Sequence, residues 1–381
     1  MTKIHITNIN IMFFFYFKNS YINKWKHTKE RLIIFMKKVA IINACTDLGL
    51  HVNGASQGSL MLTKDLKSEN IAHTYTIQNE EHKEEVNIRT TKTSKKSIDD
   101  FVTEFQSLLL AMHDLHFEDP MNLEEKKTYD RKMHDLVLAV KALDSKQEKR
   151  NLEEIDIFNE KLYQTVGNVI DQGEFPLTVG GDHIVAIGSS LASIQKHENL
   201  GIIWFDSHAD YNTYETSVTG NLHGLPLAVA THYEKSILSP FHQGPFYNPK
   251  NAVIVGGRDI DPWEWGNVLD AGVTVFSTKA IRKYGIEQIL KKAFAIASNG
   301  TNGVHISFDL DLIDPQVAPG VSIPAKDGIN LEQTYELVDE IVKYKDYIKS
   351  ADLVEFNPTL DKNQATENIA KHILTKWIEN F

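Results

Sequence analysis

The residues best suited to chemistry lie in one short run, Trp204-Phe205-Asp206-Ser207-His208-Ala209-Asp210, which puts three potential metal ligands within five positions. If the apolar strand before them continues through the run, its period of two sends Asp206, His208 and Asp210 to one face. Two carboxylates so close together repel each other and resist burial, so the pattern calls for a cation. Two further groups stand at the ends of other apolar runs: Gly180-Gly181-Asp182-His183, and Ser307-Phe308-Asp309-Leu310-Asp311, in which Asp309 and Asp311 should again share a face. His183, Asp206, His208, Asp210, Asp309 and Asp311 together supply two imidazoles and four carboxylates, enough for two divalent ions with bridging aspartates. Oxygen-rich ligation with a little imidazole suits manganese better than zinc or copper.

These groups converge only if the elements carrying them do. Apolar runs alternate with amphipathic segments, as a parallel sheet with helical crossovers requires. Strands are predicted at Val39 to Asn43, Phe175 to Val179, Leu200 to Phe205, Ala252 to Val255, Val273 to Phe276, Val304 to Leu310 and Ser350 to Phe356. Ile155, Phe158, Leu162, Val166 and Val169 recur at helical spacing, with Gly173 as the stop. In an open α/β sheet, ligands gather at the carboxyl ends of strands, where the three acidic groups fall.

Composition narrows the class. With 381 residues, 42% of them hydrophobic, the chain can bury a large core. A net charge of -11 gives no basic face for nucleic acid. The single cysteine, Cys45, excludes an intramolecular disulfide and any multi-cysteine zinc site, which fits a reducing compartment and a cytoplasmic protein. The apolar run Ile9 to Phe17 is too short to span a bilayer, and Lys18-Asn19-Ser20-Tyr21 offers no small-x-small cleavage site. Residues 1–35 read as an extension outside the fold, and 36–381 as one catalytic domain. Within it, the charge-dense stretch from about 80 to 150 reads as an insertion of solvated helices.

Taken in order and spacing, Gly180-Gly181-Asp182-His183, Asp206-Ser207-His208-Ala209-Asp210, Thr219-Gly220-Asn221-Leu222-His223-Gly224 and Ser307-Phe308-Asp309-Leu310-Asp311 resemble the motifs of the arginase/agmatinase, or ureohydrolase, family. The similarity covers most of the chain from Thr178 to Asp361, with a weaker echo at Val39 to Ser59. It implies a three-layer α/β/α fold with a mostly parallel sheet, two manganese ions per chain, a trimer or hexamer, and hydrolysis of a guanidinium or amidine group. By the same resemblance, His183, Asp206, Asp210 and Asp309 hold one ion and Asp206, His208, Asp309 and Asp311 the other, with Asp206 and Asp309 bridging.

The chemistry accounts for the ligands. Bulk water supplies almost no hydroxide, whereas a bound divalent ion can bring the pKa of water to about 7. Four aspartates cancel two divalent ions, so the remaining negative charge favours a small cationic substrate. The resemblance makes Glu355 the acceptor of the guanidinium hydrogen bonds, Asp210 the residue that orients the nucleophile, and His223 the proton shuttle. It also assigns the arginine end: Asn212, Thr219 and Asn221 to the α-carboxylate, and Asp261 and Glu264 to the α-amino group. Thr219 stands where serine is usual. Ser322-Ile323-Pro324-Ala325-Lys326-Asp327-Gly328 departs from the arginase pattern toward formiminoglutamase.

Plainer roles are expected nearby. Asp314 precedes Pro315 and suits a turn; His305 suits a hydrogen-bonded core position; Asp182 suits orientation of a neighbouring backbone group. The leading reading is arginase, cleaving arginine to ornithine and urea. Formiminoglutamase, agmatinase or another guanidine hydrolase is the alternative within the family, a non-catalytic amino-acid-binding protein of the same fold is another, and a one-zinc deacetylase of related fold is disfavoured by the second Asp-x-Asp run.

Overall fold

In the computed structural model, which describes residues 37–79, 151–217, 219–235 and 239–381, the expected parallel sheet is present. Its strands are β1 (Val39–Cys45), β2 (Ile71–Gln78), β3 (Phe175–Gly180), β4 (Gly201–Phe205), β5 (Ala252–Gly256), β6 (Thr274–Ser277), β7 (Val304–Asp309) and β8 (Ile348–Val354). They lie in the order β2-β1-β3-β8-β7-β4-β5-β6, and every pairing is parallel. The extension at 1–35 and the insertion at 80–150 lie outside the described residues.

Alternation along the strands builds the layers. Val39, Ile41, Ile203, Phe205, Val253, Val255, Ile306 and Phe308 enter one core, while Ala40, Ile42, Ile202, Trp204, Ala252 and Ile254 enter the other. Burial on both faces explains why the strands read as continuous apolar runs. The helices are α1 (Ala55–Thr63), α2 (Leu152–Asp171), α3 (Ala186–His197), α4 (Pro226–Ala230), α5 (Pro262–Ala271), α6 (Thr278–Tyr284), α7 (Ile286–Ala297), α8 (Leu331–Val342) and α9 (Ala365–Asn380). Residues of α1, α6, α7, α8 and α9 fill the first core, and those of α2, α3, α4 and α5 the second. The result is the expected three-layer α/β/α fold.

The predicted stripe of α2 is buried as expected at Ile155, Phe158, Leu162, Val166 and Val169. The strand missed in the sequence, β2, is an edge strand in which only Ile77 is buried, so it has no apolar run to betray it. Its signal was β-propensity alone, in Thr74-Tyr75-Thr76-Ile77. Among the described residues no helix is long and apolar enough to cross a membrane.

The carboxyl ends of four neighbouring central strands, β3, β8, β7 and β4, lie side by side along one edge of the sheet, and the charged motifs begin there. The sheet packs against its first helical layer partly through Trp377 of α9, which is fully buried, meets Phe308 of β7 edge-on at 6.0 Å and stacks on Phe381 at 5.7 Å. Replacing Trp377 with Ala should cost about 3–5 kcal/mol in chemical denaturation. A loss below about 1 kcal/mol would mean that α9 does not seal this core.

Candidate metal centre

Three of these strand ends, those of β3, β4 and β7, close with the same local device. Asp182 Oδ1 accepts from Ile184 N at 3.1 Å, Asp206 Oδ1 from His208 N at 2.7 Å, and Asp309 Oδ1 from Asp311 N at 2.7 Å. An aspartate that bonds the amide two residues on turns the chain at once. This corrects the expectation that alternation along a continuing strand gathers the ligands. β4 ends at Phe205, so Asp206 to Asp210 form a bent loop, and Asp311 lies in a 3₁₀ turn at Leu310–Leu312 rather than on β7. The carboxylates meet because the turns fold them back over the sheet. Gly181 makes room for the first turn, since a Cβ there would stand 1.7 Å from the Thr46 carbonyl oxygen.

All six expected ligands come together. His183, Asp206, Asp210, Asp309 and Asp311 are buried and His208 is partly so. His183 Nδ1 lies 3.1 Å from Asp206 Oδ2, 2.9 Å from Asp210 Oδ2 and 3.2 Å from Asp309 Oδ2. His208 Nδ1 lies 2.9 Å from Asp311 Oδ2 and 3.4 Å from Asp206 Oδ1. Two groups of potential ligand atoms result, His183 with Asp206 and Asp210, and Asp206 with His208 and Asp311. Asp206 belongs to both and turns one oxygen to each imidazole, as a bridge would.

The electrostatics of the cluster call for cations. Burial raises the pKa of Asp309, and the charges of Asp311 and Asp206 raise it further. Asp311 and Asp210 are pushed up by burial and by Asp206. Burial opposes ionisation of Asp206 as well, yet contacts with His183 and His208 hold its carboxyl below the usual range. His183 Nδ1 faces three carboxylate oxygens and, like Asp210 Oδ2, makes no hydrogen bond although buried. Orphaned donors and acceptors in an N/O-rich cavity fit divalent cations.

Beside the cluster, Glu355 Oε1 accepts from His183 N at 2.8 Å and stands 3.2 Å from His223 Nδ1, while its buried Oε2 has no hydrogen-bond partner. Burial disfavours charging His223, but contact with Glu355 outweighs this and raises its pKa. Asp182, pushed up to about 8 by burial and by the Glu355 charge, accepts from Gly49 N at 2.7 Å as well as Ile184 N. Both Asp210, at φ 50°, and Glu355, at φ 68°, hold left-handed backbone, a strain of about 1–3 kcal/mol each that favours glycine elsewhere.

The residues expected at the arginine end are disposed unevenly. Asn212 is buried, contacts Asp261, and accepts from Thr216 Oγ1 at 3.0 Å. Asn221 Oδ1 is buried and unpartnered. Thr219 is exposed, and its hydroxyl accepts from Asn221 N at 3.2 Å, so it shapes the loop. Asp261 and Glu264 form a capping box on α5 behind Pro262. Glu264 accepts from Tyr211 N at 2.8 Å and from Asp261 N at 3.2 Å, which ties the Asp210 loop to Asp261 and commits both oxygens to backbone.

Three supporting residues were missed in the sequence. Trp204 stacks on His183 at 4.2 Å and donates from Nε1 to Asp206 Oδ2 at 3.0 Å. Ser307 Oγ stands 2.8 Å from His183 Nε2 and 3.4 Å from Asp352 Oδ2. The buried guanidinium of Arg258 donates to the carbonyls of Asp311, Ala325 and Lys326, which pins the loop at Ser322–Gly328 beneath the site. The plainer roles hold: Asp314 accepts from Gln316 N and Gly328 N within a turn, and His305 is fully buried and hydrogen-bonded to Ser350 and Asp352.

Comparison with known proteins agrees with this geometry. The model of the arginase family matches residues 37–378. The arginase of Bacillus subtilis (strain 168) is 36% identical over 241 residues, covering 63% of this chain and 81% of that protein. The solved structure of Bacillus caldovelox arginase superposes with a TM-score of 0.69 at 26% identity, covering 90% of this chain and 98% of that one. Formimidoylglutamase from Bacillus subtilis shares the fold, with a TM-score of 0.61 at 15% identity over 90% of this chain and 86% of that one. With these matches added to the ligand cluster at the strand ends, the chain belongs to the arginase family and is a ureohydrolase, a hydrolase of amidine C–N bonds.

Proposed function

We propose that the chain hydrolyses L-arginine to L-ornithine and urea with two manganese ions. The observation that carries this reading is the free, buried Oε2 of Glu355 beside the ligand cluster, because an unpaired carboxylate oxygen there calls for a cationic N–H donor. His183, Asp206, Asp210 and Asp309 would hold one ion, and Asp206, His208, Asp309 and Asp311 the other. When bound, such ions supply a strong nucleophile from water at neutral pH.

The remaining work falls to the chain itself. Glu355 binds the guanidinium and aligns its carbon over the cluster. Asp210 accepts a hydrogen bond from the attacking water and takes up its proton. His223, against Glu355, delivers a proton to the departing amine. Asn212, Asn221 and Asp261 recognise the amino-acid end of the substrate, with Thr219 and Glu264 fixing the segments that carry them. The structural identity of 26% to an arginase against 15% to a formimidoylglutamase supports arginine as the substrate. Lys326, exposed and engaged through its carbonyl by Arg258, lends no support to formiminoglutamate.

Three measurements test this. Elemental analysis of manganese-loaded protein should give two ions per chain, with urea release lost on chelation, and Asp206→Ala should empty both positions; full activity in that variant would overturn the two-ion reading. His223→Ala should keep its metal while turnover drops by about 10²–10⁴-fold, and metal loss in this variant would contradict a proton-transfer role. Agmatine lacks the α-carboxylate, and each polar group it leaves unmatched costs about 1–3 kcal/mol. Arginine should therefore exceed agmatine in kcat/KM by at least about tenfold. Faster turnover of formiminoglutamate than of arginine would replace the substrate and leave the hydrolase standing.

A further inference from the structure

Beneath the ligand cluster lies a polar network that the catalytic reading leaves unused. His305, Ser307, Ser350 and Asp352 are all buried, between neighbouring strands β7 and β8, where Ser307 pairs in register with Asp352 and His305 with Ser350. Asp352 Oδ2 receives Ser189 Oγ at 2.8 Å, His305 Nε2 at 3.0 Å and Ser307 Oγ at 3.4 Å. His305 Nδ1 meets Ser350 Oγ at 2.7 Å. An oxygen on which three donors converge is an acceptor and carries no proton of its own. A carboxylate this deep in the sheet joins strands no better than an apolar pair would, so its presence asks for another reason.

Ser307 supplies that reason. Its hydroxyl has one hydrogen and stands between the Asp352 carboxylate, whose Oδ2 is 3.4 Å away, and His183 Nε2 at 2.8 Å. With both acceptors in reach, the charge-assisted bond to the carboxylate is the stronger and holds the hydroxyl hydrogen. The serine oxygen is then left to accept, and His183 Nε2 must be the donor. A neutral imidazole with its hydrogen on Nε2 has its lone pair on Nδ1, the atom facing Asp206, Asp210 and Asp309.

We propose that Asp352, held by His305, is a positioning residue for the metal centre that acts through Ser307 to fix the tautomer of His183. The proposal rests on the two-ion reading above and deepens it. Because the relay reaches His183 and not His208, its loss should weaken one ion and spare the other. Partners beyond the first layer of ligands typically change metal affinity by about 10–100-fold.

The test is manganese titration followed by calorimetry and by the electron paramagnetic signal of free Mn²⁺, on wild type, Asp352→Asn, Ser307→Ala and the double variant. In Asp352→Asn the amide can donate to the serine oxygen, which turns the hydroxyl hydrogen toward His183 and favours the wrong tautomer. The expected result is that this variant binds one ion as wild type does and the other at least about tenfold more weakly. The double variant should be no weaker than Ser307→Ala alone, because both changes break one relay. Equal weakening of both ions, additive losses, or unchanged binding in Asp352→Asn would each overturn the proposal. Should Asp352→Asn not fold, His305→Gln, which loosens Asp352 without removing it, must show the same one-ion loss. A wild-type protein that binds no manganese would instead refute the two-ion reading, so the two failures are distinct.

Discussion

Carboxylates that repel one another in a buried space set the terms for the rest of this molecule. Asp206, Asp210, Asp309 and Asp311 are each at most 3% exposed, and burial with mutual repulsion raises the pKa of three of them. Two imidazoles offset part of that charge, and divalent cations suit the remainder. The cluster therefore needs a rigid frame that holds its members together against their repulsion. A parallel sheet buried on both faces is such a frame, because apolar side chains above and below leave the strands no freedom to separate.

The frame also explains where strain is tolerated. Asp210 and Glu355 take left-handed backbone although neither is glycine, and each is over-determined by its neighbours. Leu227 N and Ala228 N both donate to the Asp210 carbonyl, and Glu355 N donates to the Gly181 carbonyl at 2.7 Å. A cost of about 1–3 kcal/mol at each position is sustained by that packing. Substitution by glycine would ease the backbone and remove the carboxylate that the strain serves to aim.

Much of this arrangement was legible in the residues, for a physical reason in each case. Strands buried on both faces must be apolar along their whole length, so seven of the eight stood out as runs. β2, at the edge and mostly exposed, carried no such run. The ligands were legible because Asp and His have no packing reason to cluster at strand ends. Their mode of convergence was not, since alternation and an Asx turn put the same residue types at the same spacing and differ only in backbone direction. Trp204, Ser307 and Arg258 escaped notice because each supports the site through a partner remote in sequence, as Ser307 does with His183. Glu264 was legible as an acid near the substrate end, but its capping role depends on where Tyr211 N comes to rest.

The placement of β8 bears on how the protein matures. This strand, Ile348–Val354, is the last of the sheet in chain order yet sits between β3 and β7, the strands that present His183 and Asp309. Until it inserts, those two residues have no fixed spacing, so the His183 side of the cluster is unassembled in a partly folded chain, while the ends of the directly paired β4 and β7 can already meet. Closing a sheet from its centre with its final strand demands long-range pairing, which is slow. Cations held by the complete cluster would act as a latch set after assembly, retarding unfolding far more than they hasten refolding.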